Sequence, residues 1–277
     1  MTVKKALMWV GIWVGLALLF NAGIYLWAGQ EKALQFFGGY IIEQTLSMDN
    51  LFLFLLIFSS FTIPPVYQRR VLNYGIMGAV VLRLIFILLG VAVVNRFHWV
   101  LYIFGALLLI SGYKMFFHSD EARDFKDSFL LKTLGKLIPL TPHLVDQKFF
   151  VRKGKLLYAT PLLAVLVLVE GSDIVFAIDS IPAIFSITRD PFIVFTSNMF
   201  AIMGLRSMYF VLEKLHSAFR FVKYGVALIL IFTGIKLTIL MFHIEIPLVL
   251  SIIVIFAILG LSIAISALRP EKNLEAE

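Results

Sequence analysis

The sequence predicts an all-α polytopic membrane protein of about eight transmembrane helices, with spans two to four recurring inverted as spans five to seven. Three observations predict it. Of the 277 residues, 61% are hydrophobic and 15% charged, with a mean hydropathy of +0.96; soluble domains carry about 45–50% apolar and about 25% charged residues. Eight apolar stretches are each long enough to cross a bilayer, which takes about 20 residues. Polar motifs inside those stretches occur twice, in the same order.

The spans read as 7–27, 36–60, 71–94, 99–117, 157–182, 192–212, 219–242 and 246–268. Breaks between them carry Gly29 to Lys32, Pro64-Pro65, Asn95 to His98, Arg189-Asp190-Pro191, Lys214 to Ser217 and His243 to Pro247. The first span follows Lys4-Lys5, as in a signal peptide. Its apolar run is too long for one and lacks a clear cleavage site, so it is read as a helix.

Basic residues set the orientation. Eighteen lie on the side of the N-terminus, including Lys4, Lys5, Arg69, Arg70 and nine from Lys114 to Lys155; the opposite side has Lys32, Arg96 and Arg189. Both termini are therefore expected in the cytoplasm, with the protein in the cell (inner) membrane. The formal charge of +7 is mostly topology and gives no reason to expect nucleic acid. Cysteine is absent, which excludes disulfides and thiolate ligands.

Residues 118–156 are the one sizeable extramembrane segment. Phe125, Phe129, Leu130, Leu134 and Leu137 stand near helical spacing among charges, as in an amphipathic helix on the cytoplasmic leaflet.

The duplication rests on three matches. Glu43-x5-Asp49-Asn50 in span two parallels Asp173-x5-Asp179-Ser180 in span five. Gly78 to Phe86, with Leu82-Arg83, parallels Phe200 to Tyr209, with Leu205-Arg206, and Ser111-Gly112-Tyr113-Lys114 parallels Thr233-Gly234-Ile235-Lys236, all at offsets of 122 to 130 residues. Short matches in apolar sequence also arise by chance, but three in one order favour a repeat. Three spans per copy is odd, so the second copy must be inverted. This arrangement is typical of secondary transporters. Repeat one covers about 36–117 and repeat two about 157–242, flanked by helices 7–27 and 246–268 in one transmembrane domain.

Five acids lie inside spans: Glu43, Asp49, Glu170, Asp173 and Asp179. Intramembrane carboxylates are costly and face a cavity, a partner or an ion. Ser47, Asn50, Ser180 and other oxygen donors stand among them, a set suited to hard divalent cations. Asp173 and Asp179 are six apart, about 240° around a straight helix, so local unwinding between the paired acids is expected. Arg83 and Arg206 are read as charge balance for buried carboxylates, with a gating counter-ion as the alternative. Asn198 is either a site amide or a helix–helix hydrogen bond.

At EQTLSMDN (Glu43–Asn50) and EGSDIVFAIDSIPAIFSITRDPFIVFTSNMFAIMGLRSMYF (Glu170–Phe210) the chain resembles the TerC family, and within it the Alx-like manganese exporters. The resemblance covers about residues 36 to 242. It implies a fold related to the LysE transporter superfamily and Mn2+ as the transported substrate, exported from the cytoplasm without an organic cofactor or enzymatic activity. The family's essential acids map onto Glu43, Asp49, Asn50, Glu170, Asp173 and Asp179. The resemblance also implies contact with the secretion machinery, and a homo-oligomer is compatible with it. The family takes its name from tellurite resistance. Two other readings stay open: a Ca2+/H+ exchanger of similar architecture, and a non-transporting scaffold that assists metalation of exported proteins.

Overall fold

The apolar stretches fold as long helices in the computed structural model of the chain, which describes residues 3–117, 128–154, 156–215 and 221–268. The helices are α1 (Val3–Ala28), α2 (Gln30–Ser60), α3 (Pro65–Arg96), α4 (Val100–Phe117), α5 (Phe129–Leu137), α6 (Pro161–Phe185), α7 (Pro191–Leu215), α8 (Val222–Ile239) and α9 (Leu248–Leu268). A 3-10 turn, Leu240–Phe242, extends α8. Proline opens α3, α6 and α7, where its missing N–H costs nothing and its fixed φ suits the first turn. Gly29, at φ +87°, reverses the chain between α1 and α2 within one residue.

Seven of these helices, among the described residues, are long and apolar enough to cross a membrane. The eighth expected span is α7, which has the length. Thr196, Ser197, Asn198, Arg206 and Ser207 make it more polar than the others, and it packs against α1, α2 and α3. A helix shielded by its neighbours can carry that polarity.

The other main packings are α2 with α6, α3 with α6, and α4 with α8. In the α4–α8 pair the backbones come close through glycine. A Cβ on Gly105 would lie 2.9 Å from the carbonyl oxygen of Gly234, and one on Gly112 2.8 Å from that of Ala227. Small residues allow such approach within a membrane, where apolar side chains gain little by leaving lipid.

Two apolar clusters fill the centre. One joins Phe54, Phe58, Leu72, Leu168 and Leu205 toward the face that carries the N-terminus. The other joins Ile42, Ile87, Ile181, Ile184 and Val194 toward the opposite face.

The segment after the fourth span differs from expectation. Its first part, 118–127, lies outside the described residues. Beyond it the amphipathic helix is short, capped by Ser128, whose Oγ accepts from Leu131 N. Leu131 is buried under the bundle, and Leu130 fills the space beside Gly171. Strands β1 (Phe150–Lys153) and β2 (Leu156–Ala159) then form an antiparallel hairpin, so α6 starts at Pro161 rather than 157.

Candidate cation-binding site

Arg83 of α3 lies at the crossing of α2, α3, α6 and α7 and is 1% exposed. A guanidinium so deep must find acceptors, because it keeps its charge. It finds three. Nη1 is paired with Glu43 Oε1 of α2 and donates to Asn198 Oδ1 of α7 at 3.2 Å. Nε and Nη2 reach the two carboxylate oxygens of Asp173 on α6, at 3.4 and 3.3 Å.

The remaining valences of Glu43 are also met. Asn198 Nδ2 donates to Oε2 at 3.1 Å, and Ser47 Oγ to Oε1 at 3.4 Å. Glu43 is fully buried and Asp173 nearly so. Five of the expected site residues, Glu43, Ser47, Arg83, Asp173 and Asn198, thus form one network. Two carboxylates against one guanidinium leave it one negative charge when both acids are ionised.

The other acids are placed differently. Glu170 sits one turn from Asp173 toward the N-terminal face, half-buried, with no hydrogen bond or ion pair among the described residues. Its carboxylate occupies the space that a Cβ on Gly78 would fill. Asp179 accepts from Ser111 Oγ of α4 at 2.8 Å. Asn50 is buried on α2. Asp49 is helical, and its side chain lies outside the described part of the structure. Ser180 Oγ is buried without a partner among the described residues.

Three expectations need correction. First, no unwinding separates the paired acids: α2 and α6 are continuous, and Pro182 lies inside α6. Intact helical geometry turns Asp173 and Asp179 away from one another, and each has found its own partner on a different helix. Pro182 lacks an N–H, so the break is confined to the carbonyl of Ile178, which loses its usual donor. Second, Arg206 balances no buried acid among the described residues. It is exposed and donates to Asn73 Oδ1 at 2.8 Å, because α7 turns Asn198, not Arg206, toward the centre. Third, the five expected ligands whose side chains are described, Glu43, Asn50, Glu170, Asp173 and Asp179, do not converge. Among the described residues no three acids or histidines could hold a metal ion.

Sequence reasoning gave no role to Ser111 or Gly78. Both stood inside the repeated motifs, which was the available signal. Gln44, one turn before Met48 on α2, donates from Nε2 to Met208 Sδ of α7.

Opposite the N-terminal face, Lys32 at the start of α2 binds Asp190 at 2.6 Å. Asp190 caps α7, its Oδ1 accepting from Phe192 N at 3.0 Å and Ile193 N at 3.4 Å. Partial burial disfavours its charge, but Lys32 and the backbone donors outweigh this and hold the carboxyl below its ordinary value.

The sequence that folds in this way is similar to those of known membrane proteins. The profile described as "Integral membrane protein TerC family" matches residues 28–274. A protein of Escherichia coli strain K12, named "Putative membrane-bound redox modulator Alx", is 48% identical over 96% of this chain and 85% of its own length. The Salmonella typhi protein of the same name is 46% identical over the whole chain and 89% of its own. A Myxococcus xanthus protein, named only as an uncharacterized membrane protein, is 47% identical over 96% of this chain and 83% of its own. No solved structure matches.

Proposed function

The chain belongs to the TerC family of integral membrane proteins, and from that premise we propose that it is a secondary-active exporter of Mn2+ from the cytoplasm, coupled to protons. The single observation that carries this reading is the buried network in which Arg83 joins Glu43 of α2 to Asp173 of α6. Its donors are carboxylate, amide and hydroxyl oxygens, the chemistry of a hard divalent cation.

In this reading Arg83 is the resident counter-ion of the cation-free state. It holds Glu43 and Asp173 in ion pairs while apolar clusters close the network toward both faces. Glu170, half-buried and unpaired, meets the cation on its way in from the N-terminal face. The cation then takes Glu43 and Asp173 from Arg83, with Asn198 and Ser47 completing its oxygen shell. Asp179, with Ser111, receives it on the path to the opposite face. Protons returning onto the vacated carboxylates reset the site. That cycle requires the site to rearrange between states, which agrees with acids that do not yet converge.

Helix packing supports an inverted repeat. If α2, α3 and α4 correspond to α6, α7 and α8, then the packing of α2 on α7 is the image of α6 on α3. Likewise the Gly112–Ala227 approach becomes the Gly234–Gly105 approach under an offset of 122 residues. The excess of basic residues on the N-terminal face supports a cytoplasmic position for both termini and residence in the inner membrane.

The relatives' name refers to redox modulation. With no cysteine in the sequence, a thiol route has no residue to act through here. Exporting a redox-active metal alters the redox balance of a cell without one. The test is Mn2+ transport by the protein in proteoliposomes, with and without a pH gradient, alongside Asp179→Asn. Uptake should respond to the gradient and disappear in the variant. Uptake of Ca2+ that outcompetes Mn2+ would assign the site to calcium instead, and absence of any cation uptake would overturn the reading.

A further inference from the structure

A second concentration of charge lies apart from the Arg83 network. On the N-terminal face, α3 and α7 diverge around a cleft of about 740 Å3 whose walls include Arg69, Arg70 and Asn73 of α3 and Phe210, Glu213 and Lys214 of α7. Arg206 marks its inner end by its bond to Asn73. Lys214 stands eight residues beyond Arg206 on α7, so the two basic positions are about 12 Å apart along the helix. Three cations, Arg69, Arg70 and Lys214, line the cleft against one carboxylate, Glu213, with Arg206 beside them, and none of the four forms an ion pair among the described residues.

The arginines are held by aromatic faces, not by acids. The guanidinium of Arg69 lies 5.5 Å from the centre of the Phe210 ring, and that of Arg70 5.3 Å from Phe149 and 5.8 Å from Tyr74. Stacking of this kind fixes a guanidinium while leaving its N–H edge unused. Consistently, Arg70 Nε is buried with no acceptor among the described residues. The preference for basic residues on one membrane face explains their side, but not their convergence on one cleft.

Such a cleft repels a cation, so it is not the route to Glu43 and Asp173. It suits an anion with several acceptor oxygens, and arginine forks match phosphate in particular. The cleft also lies on an apolar flank: Val66, Tyr74 and Met77 of α3 are all exposed, leading from the charged mouth toward the middle of the helix. A headgroup attached to acyl chains satisfies both features at once.

We infer that this cleft binds the phosphate headgroup of an anionic phospholipid, with Arg69, Arg70 and Lys214 around the phosphate and Arg206 beneath it. The test uses the full-length protein in neutral detergent, with thermal unfolding followed as phosphatidylglycerol, phosphatidylcholine or inorganic phosphate is titrated. Phosphatidylglycerol should raise the midpoint saturably. The R69Q/R70Q variant should need about 25-fold more lipid, since each basic residue near an anionic surface contributes about fivefold. An unchanged requirement in the variant overturns the inference. So does an equal rise with phosphatidylcholine, or an equal rise with inorganic phosphate, which would assign the cleft to the free ion. Should the variant not fold, native mass spectrometry of the wild type released from an equimolar mixture of the two lipids decides. Preferential retention of phosphatidylglycerol is expected, and equal retention overturns the inference.

Discussion

Arg83 donates to Glu43 and Asp173 at the same time, so one guanidinium ties a carboxylate of α2 to a carboxylate of α6. Removing it leaves two buried acids facing each other with no counter-charge between them. Breaking a buried pair from one side costs about 3–5 kcal/mol. Arg83→Gln is therefore expected to lower the unfolding midpoint in detergent markedly, and Arg83→Gln with Glu43→Gln to recover part of the loss. A double variant as unstable as the sum of the two singles would contradict the network.

Asp173 and Asp179 should separate stability from transport. Asp173→Asn weakens the hold on Arg83, so both unfolding midpoint and Mn2+ uptake should fall. Asp179→Asn keeps an oxygen to accept from Ser111, so the midpoint should stay near that of the wild type while uptake is lost. Ser111→Ala removes one hydrogen bond, worth about 1 kcal/mol, and should reduce uptake only partly.

Gly78→Ala tests the position of Glu170. The added methyl group falls on the Glu170 carboxylate, which must move. Because Glu170 is half-buried and has somewhere to go, the protein should fold. The expected outcome is a raised Mn2+ concentration for half-maximal uptake with little change in midpoint; an unchanged uptake curve would remove Glu170 from the entry path.

The α4–α8 contact offers a symmetry test. Gly112→Ala and Gly234→Ala each place a methyl group against backbone atoms, at 2.8 and 2.9 Å. Overpacking of this kind costs about 1–3 kcal/mol. The two variants should lose similar amounts if they occupy equivalent places in an inverted repeat, and clearly unequal losses would count against it.

The Lys32–Asp190 pair carries a pH signature. Asp190 is held below its ordinary value of 3.8 in the folded protein, so its contribution is fully present above pH 3.8 and fades as pH falls through the lower folded value. Asp190→Asn keeps the cap on α7 and loses only the ion pair, about 0–1 kcal/mol. Asp190→Ala loses the cap too, about 1 kcal/mol more. Comparing their unfolding midpoints at neutral pH separates the two contributions.

The spans were legible because length and hydropathy alone define them: eight expected stretches correspond to eight long helices within a few residues at most ends. Glu43, Asp173, Arg83 and Asn198 were legible because buried polar groups are conspicuous in apolar sequence. Their partners were not. That Asp179 answers to Ser111, and Glu170 to the gap above Gly78, depends on helices far apart in the chain. The 240° between Asp173 and Asp179 was read correctly, but it pointed to two separate partners and not to a broken helix. The hairpin was hidden because Leu156–Ala159 runs without a break into the apolar stretch of α6. Arg206 could not be told from Arg83 by motif, since only packing decides which arginine turns inward.

An unbroken α6 makes Asp173 and Asp179 two notches on one rod, about 9 Å apart along it and two-thirds of a turn around it. Such a rod cannot close both notches on one object. Any twist that withdraws one from its neighbour swings the other by the same angle, so the two faces of the membrane are kept out of step by the stiffness of a single helix.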